Sequence, residues 1–476
     1  MDDASSSNIR AGGLESLVAY GLMIAATIAL FLGIRSLGGG LVAPPPESEV
    51  ARGPVSASSE TLLHVLLALV VIILAARAVG AVFARLQQPA VIGEVIAGVV
   101  LGPSLLGRVA PAAYAYILPK TVAPYLGIIA QLGVILFMFL VGLELDTGLL
   151  RKKTHATLAI SHASIIAPFL LGAGTALWVY PRLSTSDVPF GAFCMFLGVS
   201  MSITAFPVLA RILTDRGIHK TRLGVIAISC AAVDDVTAWC LLAFVVAVVQ
   251  SQVRGAAITF GLTIAYIVVM FGVVRPIVVR LVQRQDLVQK TSQTAVAAVF
   301  IGLLISALIT EYIGIHAIFG AFLLGAIIPH GSRLAKSLTD KIEDLVVVLL
   351  LPAFFAFTGM RTQIGLVSGA SQWLMCGALI VVACLGKFGG STVAARLAGL
   401  SMRDAASLGI LMNTRGLMEL VVLNIGLDLG VVKPTLFAML VIMAIVTTVA
   451  TTPILHLLNR GRPIEDEEAA AAVGTG

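Results

Sequence analysis

The stretch AISCAAVDDVTAWCLLAFVVAVV (227–249) is apolar over almost its whole length, yet Asp234 and Asp235 stand side by side at its centre. Such a stretch is long enough to cross a bilayer as a helix. An ionised carboxylate at the bilayer centre costs at least about 2.5 kcal/mol on insertion scales. Because neighbouring helical residues point about 100° apart, we expect one acid to face a cavity and the other to face a partner.

The rest of the chain has the composition of a polytopic, all-α membrane protein. Its 476 residues are 58% hydrophobic and only 12% charged, against about a quarter charged in ordinary soluble domains. Cutting the sequence at polar and Pro/Gly breaks predicts fourteen segments: 15–37, 60–85, 88–104, 122–146, 155–180, 189–213, 223–250, 257–284, 292–311, 313–329, 342–361, 371–397, 404–427 and 433–458. No stretch between them is long enough for a separate soluble core, so we expect one membrane domain without a cytosolic regulatory module.

The basic residues are distributed as expected for a membrane topology. Of the 31 Lys and Arg, 19 fall in the loops on the side of the termini, including RKKTH (151–155), DRGIHKTR (215–222), RLVQRQ (280–285) and SRLAK (332–336). The positive-inside rule therefore places both termini in the cytoplasm, and we expect an integral protein of a bacterial inner membrane. The net charge of +6 does not indicate a nucleic-acid partner, because these residues lie in short loops without interleaved aromatics.

The chain divides at Gly/Pro/Ser-rich stretches. Residues 1–59 are predicted to form an extra N-terminal helix and a linker, although a cleaved signal peptide is the alternative for segment 15–37. Residues 60–458 form the membrane domain, and 459–476 a short disordered cytoplasmic tail. The five cysteines lie in apolar segments, their number is odd and their spacing is not that of metal ligands. Neither a disulfide framework nor a cofactor is therefore expected.

A weak internal repeat divides the membrane domain. GLELDTGLL (142–150) and GMRTQIGLV (359–367) share their glycine spacing, and both EVIAGVVLG (94–102) and HAIFGAFLLG (316–325) are short Gly-punctuated segments. If 257–284 is a connector, six segments precede it (60–250) and six follow it (292–458) in the opposite orientation. Inverted repeats are typical of secondary transporters, although chance similarity among Gly-rich helices is the alternative.

Two segments in corresponding places of the halves are predicted to be broken. The first contains Ser202 and Thr204 before Pro207 in GVSMSITAFPVLARIL (198–213), where a simple proline kink is the alternative. The second, LGILMNTRGLMELVVLNIGL (408–427), carries at mid-span the polar or flexible residues Asn413, Thr414, Arg415, Gly416 and Glu419. Irregular backbone at membrane depth survives only inside protein or beside a water-filled cavity. Arg415 and Glu419 are four apart and are expected to neutralise each other.

Lys387 in VVACLGKFGGSTV (381–393) is the candidate partner for one acid, because it is the only lysine inside a predicted segment. Flanking glycines allow a neighbouring helix to approach closely. A buried ammonium keeps its charge beside a carboxylate. The pair belongs either to the transport chemistry or to a permanent structural lock between two helices.

Six motifs together resemble the monovalent cation:proton antiporter-2 family, which includes Kef-type potassium systems, plant cation/proton exchangers and NapA-type sodium/proton antiporters. They are QPAVIGEVIAGVVLGPSLLG (88–107), SITAFPVLARIL (202–213), AAVDDVTAW (231–239), GIHAIFGAFLLGAIIP (314–329), GKFGG (386–390) and NTRGLMELVVLNIGL (413–427). The resemblance implies a NapA-like fold of thirteen helices in inverted repeats with two crossing broken helices, to which segment 15–37 adds one. It also implies a homodimer and elevator movement.

The same resemblance implies roles for individual residues. Asp235 would hold the cation and carry the proton, Asp234 would pair with Lys387, and Thr204 would line the crossing. NapA-type members share both acids and the lysine, whereas several plant and Kef-type members have Asn or Gln in the place of Asp234. The flanking segments are nearer the plant type, so the transported ion can be Na⁺ or K⁺. Whether a regulatory subunit binds is also left open.

A mechanism follows from the chemistry of one poorly hydrated carboxylate. Asp235 can bind a proton or a monovalent cation but not both at once, so competition couples the two ions in an antiporter that serves pH homeostasis. The alternatives are a gated monovalent cation channel, for which no filter-like repeat is visible, and a Kef-type potassium efflux system, which the predicted lack of a nucleotide-binding domain disfavours. An enzyme is not expected, since adjacent aspartates on one helix cannot share a proton as proteolytic pairs do.

Overall fold

The structure is a computed structural model that describes residues 3–41, 59–144, 155–218, 221–250, 253–286 and 293–459. The α-helices within these ranges are α1 Asp3–Gly38, α2 Ser59–Arg85, α3 Ala90–Leu101, α4 Leu106–Val109, α5 Pro111–Ile117, α6 Ala123–Glu144, α7 His155–Leu183, α8 Phe190–Ser202, α9 Phe206–Asp215, α10 Arg222–Gln250, α11 Val253–Val269, α12 Arg275–Asp286, α13 Gln293–Ile313, α14 Ala317–Ile327, α15 Arg333–Leu345, α16 Leu351–Arg361, α17 Gly369–Cys384, α18 Gly390–Leu397, α19 Met402–Met412, α20 Leu417–Asp428 and α21 Pro434–Leu458. Single π-helical turns, Met270–Val274, Val346–Leu350 and Leu385–Gly389, join α11 to α12, α15 to α16 and α17 to α18.

The predicted all-helical membrane architecture is confirmed. In the described part of the chain, twelve helices are long and apolar enough to cross a bilayer. The pair α19 and α20, bent by 43° at its break, makes a thirteenth span, and the short apolar α14 fills the predicted segment 313–329. Each of the fourteen predicted segments therefore corresponds to helix, with the broken ones divided in two.

Several boundaries differ from the prediction. SRLAK (332–336) was expected to be a loop, but helix α15 begins at Arg333, because the Ser332 hydroxyl caps it by accepting from the Ala335 N–H. RLVQRQ (280–285) likewise continues helix α12. The short helices α4 and α5 lie where no helix was expected. Most of RKKTH, of the linker and of the tail lies outside the described residues.

Both predicted breaks are present. Helix α8 ends at Ser202, residues 203–205 are extended, and α9 begins at Phe206. Pro207 lies in the first turn of α9, where its missing N–H removes no helical hydrogen bond. The alternative of a simple kink within one continuous helix is therefore wrong. In the second span, α19 ends at Met412 and α20 begins at Leu417.

The two breaks cross and are held together by backbone. The Ala205 N–H donates to the Thr414 carbonyl oxygen at 2.9 Å, so an orphan donor of one break is satisfied by an orphan acceptor of the other. A Cβ added at Gly416 would lie 2.8 Å from a methyl group of Val208 on α9. The crossing therefore sits inside protein, as irregular backbone at membrane depth requires.

Close helix contacts at glycines recur in the two halves. Gly98 of α3 lies against Gly359 of α16, and Gly325 of α14 lies against Gly142 of α6. A Cβ added at any of these four positions would overlap backbone of the facing helix. The second segment of each half thus contacts the third segment of the other half, which is the pattern expected of an inverted repeat. The exact boundaries of the repeats stay a prediction.

The additional N-terminal helix packs on the first half. The Phe31 ring lies 5.6 Å from that of Phe169 on α7, and Gly38 lies directly against the Phe190 ring at the start of α8. A bulky side chain at position 38 would displace that ring. These contacts give α1 a place in the bundle, while its retention in the mature protein stays a prediction.

The Gly98 contact is tested by Gly98→Val, with Gly174→Val as the matched control. Gly174 lies within helix α7, and no atom of the described residues lies within 4 Å of an added Cβ there. Both changes therefore alter helix propensity alike, but only Gly98→Val forces α3 and α16 apart. Overpacking of this kind costs about 1–3 kcal/mol. We expect a clearly lower midpoint of thermal unfolding in detergent for Gly98→Val, and equal midpoints for the two variants would contradict the contact.

Candidate functional site

The Asp234 carboxylate is fully buried and accepts four side-chain hydrogen bonds. Ser161 Oγ donates to Oδ1 at 2.6 Å. Ser164 Oγ at 2.5 Å, Thr204 Oγ1 at 2.8 Å and Lys387 Nζ at 3.0 Å all donate to Oδ2. A buried charge is tolerated when it is paired and its lone pairs are satisfied. Asp234 therefore has the environment of a saturated ion-pair partner.

Lys387 reaches Asp234 from the π turn between α17 and α18. Its side chain has no exposed surface, and Nζ also donates to the Ser202 carbonyl oxygen at the end of α8. The glycines on either side let this turn pack closely on α7, since an added Cβ at Gly386 or Gly390 would lie 2.6 Å from Pro168 or Ala167. The π turn and its flanking glycines together allow the Lys387 ammonium to reach the Asp234 carboxylate.

Asp235 has a very different environment from its neighbour. Only 4% of the residue is exposed, and Oδ2 is buried with no hydrogen-bond partner among the residues that the structure describes. The backbone N–H of Phe206 donates to the carboxylate. Since Phe206 is the first residue of α9, the positive end of that helix faces the acid. One buried carboxylate oxygen is thus left free for a proton or a cation.

The second break contributes unsatisfied oxygens and a second ion pair. Asn413 Oδ1 and Thr414 Oγ1 are buried and have no partners within the described part of the chain, although the Asn413 amide donates weakly to Cys384 Sγ at 3.5 Å. Arg415 and Glu419 pair at 2.9 Å with both side chains fully buried, as their i, i+4 spacing indicates.

Arg415 does more than neutralise Glu419. Its guanidinium donates to the carbonyl oxygens of Ser200 at 2.8 Å and Met201 at 2.6 Å. Lys387 donates to the next carbonyl oxygen, that of Ser202. Two cations therefore donate to three successive carbonyls at the negative end of α8. The second broken span thus supplies one of the two cations at the end of the first, and the π turn supplies the other.

Thr204 and Ser202 of the first break take part in the site through different groups. Thr204 lies at the crossing, where its hydroxyl also approaches the Met412 carbonyl oxygen at 3.2 Å. Its hydrogen-bond partner among the two acids is Asp234. The Ser202 hydroxyl donates away from the acids, to the carbonyls of Gly198 and Ile165, so Ser202 takes part through its carbonyl.

Sequence reasoning missed Ser161 and Ser164. Both lie on α7, three residues apart and hence on one helical face, and that spacing was the available signal. Serines are common in membrane helices as small interface residues, so the signal does not identify a carboxylate partner by itself. Among the described residues, no group of three or more His, Cys, Asp or Glu side chains could hold one metal ion.

A polar cavity of about 500 Å³ opens at the far end of α9. It is lined by Gln87 and Gln88 before α3, by Arg211 and Arg216 on and after α9, and by Thr452 of α21. Arg211 is five residues from Phe206, which corresponds to about 8 Å along a helix. The short helix that donates to Asp235 therefore ends at this cavity.

Comparison with known proteins gives the family. The model of the transmembrane sodium/hydrogen exchanger family matches residues 60–458. The chain belongs to the sodium/hydrogen exchanger family. This membership confirms the resemblance to cation:proton antiporters that the motifs indicate.

Named relatives of this exchanger family member are antiporters. The Na(+)/H(+) antiporter NhaS4 of Synechocystis sp. is 44% identical over 398 residues, which cover 83% of this chain and 97% of the relative. Cation/H(+) antiporter 20 of Arabidopsis thaliana is 40% identical over 400 residues, 80% of this chain and 47% of that protein. K(+)/H(+) antiporter 1 of Saccharomyces cerevisiae is 32% identical over 412 residues, 82% and 47% respectively. The chain thus spans about half the length of the plant and yeast relatives.

The sodium proton antiporter MjNhaP1 of Methanocaldococcus jannaschii has a similar fold. Its structure superposes with a TM-score of 0.61 over 84% of this chain and 98% of the other, at 13% identity. This likeness confirms the predicted antiporter fold for the present exchanger family member, and at that identity it concerns the fold alone.

The Asp234–Lys387 pair is tested by a double-mutant cycle of Asp234→Asn and Lys387→Met. Each single change leaves the other member buried without its partner, which costs about 3–5 kcal/mol in comparable pairs. The double variant removes both charges, so we expect its loss of stability to be smaller than the sum of the single losses. Thermal unfolding in detergent measures this, and strictly additive losses would show that the two side chains do not interact.

Proposed function

We propose that the protein exchanges a monovalent cation, Na⁺ or K⁺, for protons across the membrane, and that both ions bind at Asp235. The observation that carries this proposal is the contrast between the two adjacent acids. Asp234 accepts hydrogen bonds from four donors, whereas Asp235 keeps a buried carboxylate oxygen for which the described ranges provide no partner. The names of the relatives, which are sodium, potassium or general cation antiporters, support the same class of transport.

Competition at Asp235 couples the two ions. A proton on the carboxylate removes the charge to which a cation would bind, and a bound cation excludes the proton. Asp235 with its bound proton or cation is neutral in either loaded form, whereas the empty carboxylate is an anion that pays the desolvation cost of crossing. Only loaded sites therefore exchange sides, and leak is suppressed. The unsatisfied oxygens of Asn413 and Thr414 are candidates to complete a cation's ligand set.

Alternating access of the elevator type accounts for movement between the two faces. Asp235 is nearly fully buried, while a polar cavity lies at the other end of α9. Displacement of the crossing helices as one unit would connect the acid to one face and then to the other. A homodimer in a bacterial inner membrane, with both termini cytoplasmic and a role in pH homeostasis, completes the proposal.

Lys387 provides a second exchangeable proton. If a cation enters beside Asp234, the ammonium is displaced from that carboxylate and releases one proton, while Asp235 releases another. Two protons then move for each cation, and transport carries net charge. In this scheme the Asp234–Lys387 pair takes part in the transport cycle as well as in helix packing.

Asp235→Asn tests the central assignment. The amide keeps the shape of the side chain but cannot bind a proton or cation in exchange, so we expect complete loss of transport with an unchanged elution profile and thermal midpoint. Asp340→Asn, on the exposed face of α15, is the matched control and should exchange normally. The assay is fluorescence of a proton-sensitive dye in proteoliposomes after addition of Na⁺, K⁺ or Li⁺. Ordinary exchange by Asp235→Asn would refute the assignment, and cation flux without proton movement in the unmodified protein would indicate a channel.

Currents on a solid-supported membrane test the stoichiometry. A cation step should produce a transient current with the sign of net proton movement, because two protons leave for each cation that enters. Asp235→Asn should give no such current. Robust exchange in liposomes without a current would exclude the two-to-one scheme while leaving Asp235 as the shared site.

A further inference from the structure

An apolar groove of about 690 Å³ lies between α3 and α21. Its deep walls include Ile96 and Val99 of α3 and Ile442 and Ile445 of α21. Ligand sites for small molecules commonly have volumes of about 300–1,000 Å³. The groove is therefore large enough for a substantial part of an organic ligand.

The mouth of the groove carries an unpaired cation. Arg108, which follows the end of α3, lines it together with Trp373 near the start of α17. Within the part of the chain that the structure describes, the Arg108 guanidinium makes no hydrogen bond or ion pair. It rests directly on Gly365, where an added Cβ would overlap it. The groove thus presents a free positive charge at one end.

Polarity changes with depth along the groove. Ile445 is eleven residues into α21, about 17 Å from its first residue, whereas Arg108 and Trp373 lie beside the ends of their helices. Tryptophan and arginine at helix ends are typical of the headgroup region, and branched aliphatic residues of the hydrocarbon region. The groove therefore has the charge and polarity profile of a phospholipid placed along the membrane normal.

We infer that this groove binds an anionic phospholipid, with its phosphate on Arg108 and one acyl chain between α3 and α21. The apolar walls disfavour a free inorganic anion, because it would gain nothing from them. The Arg108 guanidinium favours an anionic headgroup over a zwitterionic one. An anionic lipid supplies a net negative charge to pair with it, whereas a zwitterionic headgroup carries its own positive charge. A chain in this position contacts both helices and would resist their separation.

Quenching of Trp373 tests the inference. The protein has three tryptophans, so Trp178→Phe with Trp239→Phe leaves Trp373 as the only one. This variant, full length in nanodiscs of phosphatidylcholine, is titrated with phosphatidylglycerol or phosphatidylcholine carrying brominated acyl chains. Because Trp373 lies in the groove mouth, we expect brominated phosphatidylglycerol to quench it at a several-fold lower mole fraction than brominated phosphatidylcholine.

Two further variants assign the effect. Arg108→Gln should remove the preference for phosphatidylglycerol, whereas Lys120→Gln, which loses the same charge outside the groove, should retain it. Equal quenching by the two lipids, or an unchanged preference in Arg108→Gln, would overturn the inference. If the tryptophan variant does not fold, native mass spectrometry of otherwise unmodified protein decides: phosphatidylglycerol retained by Arg108→Gln as by the unmodified chain would overturn it equally.

Discussion

The fold depends on one buried charge being fully balanced. Asp234 receives donors from three separate parts of the chain: the serines of α7, Thr204 in the first break and Lys387 in the π turn. Removing any donor leaves a lone pair of an anion unsatisfied in a low-dielectric interior. A single carboxylate therefore links α7, the crossing and the π turn.

Charges of opposite sign also lie next to each other at the helix ends of the crossing. The negative end of α8 is covered by Lys387 and by Arg415, while the positive end of α9 faces Asp235. Half-helix termini behave as partial charges of about half an elementary charge. Each full charge at the crossing thus has an opposite partial or full charge beside it. Among the described residues, Asp235 and Glu419 each keep one buried oxygen without a hydrogen-bond partner. Glu419 is paired with Arg415 through its other oxygen, whereas Asp235 has a helix terminus beside it.

Much of this arrangement could be predicted from sequence because it is encoded locally. Long apolar runs define the spans, and Pro207 and the polar run from Asn413 to Glu419 mark the breaks. The i, i+4 spacing of Arg415 and Glu419 likewise predicts their contact. A lone lysine in an apolar segment has few possible partners, so the sequence predicts that Lys387 pairs with one of the two acids. The choice of Asp234 is what the resemblance to NapA-type antiporters implies.

Other features could not be predicted because they depend on contacts between distant segments. Nothing near Ser161 or Ser164 distinguishes a carboxylate ligand from a packing serine, and the partner is about 70 residues away. The contacts of Arg415 with Ser200 and Met201 depend on backbone carbonyls that only a helix end exposes. The π turn at Lys387 has no reliable composition signal, since it is a local accommodation to tertiary packing.

The order of the donors along the chain has a consequence for biogenesis. Ser161 and Ser164 precede Asp234 by 73 and 70 residues, whereas Lys387 follows it by 153. At a synthesis rate of about 5–20 residues per second, the lysine emerges from the ribosome about 8 to 30 s after the acid. During that interval a nascent helix α10 with two acids must be inserted or held at the translocon without its cation. The hydroxyls of the α7 serines and of Thr204, already synthesised, are then hydrogen-bond donors that can accompany Asp234 into the bilayer.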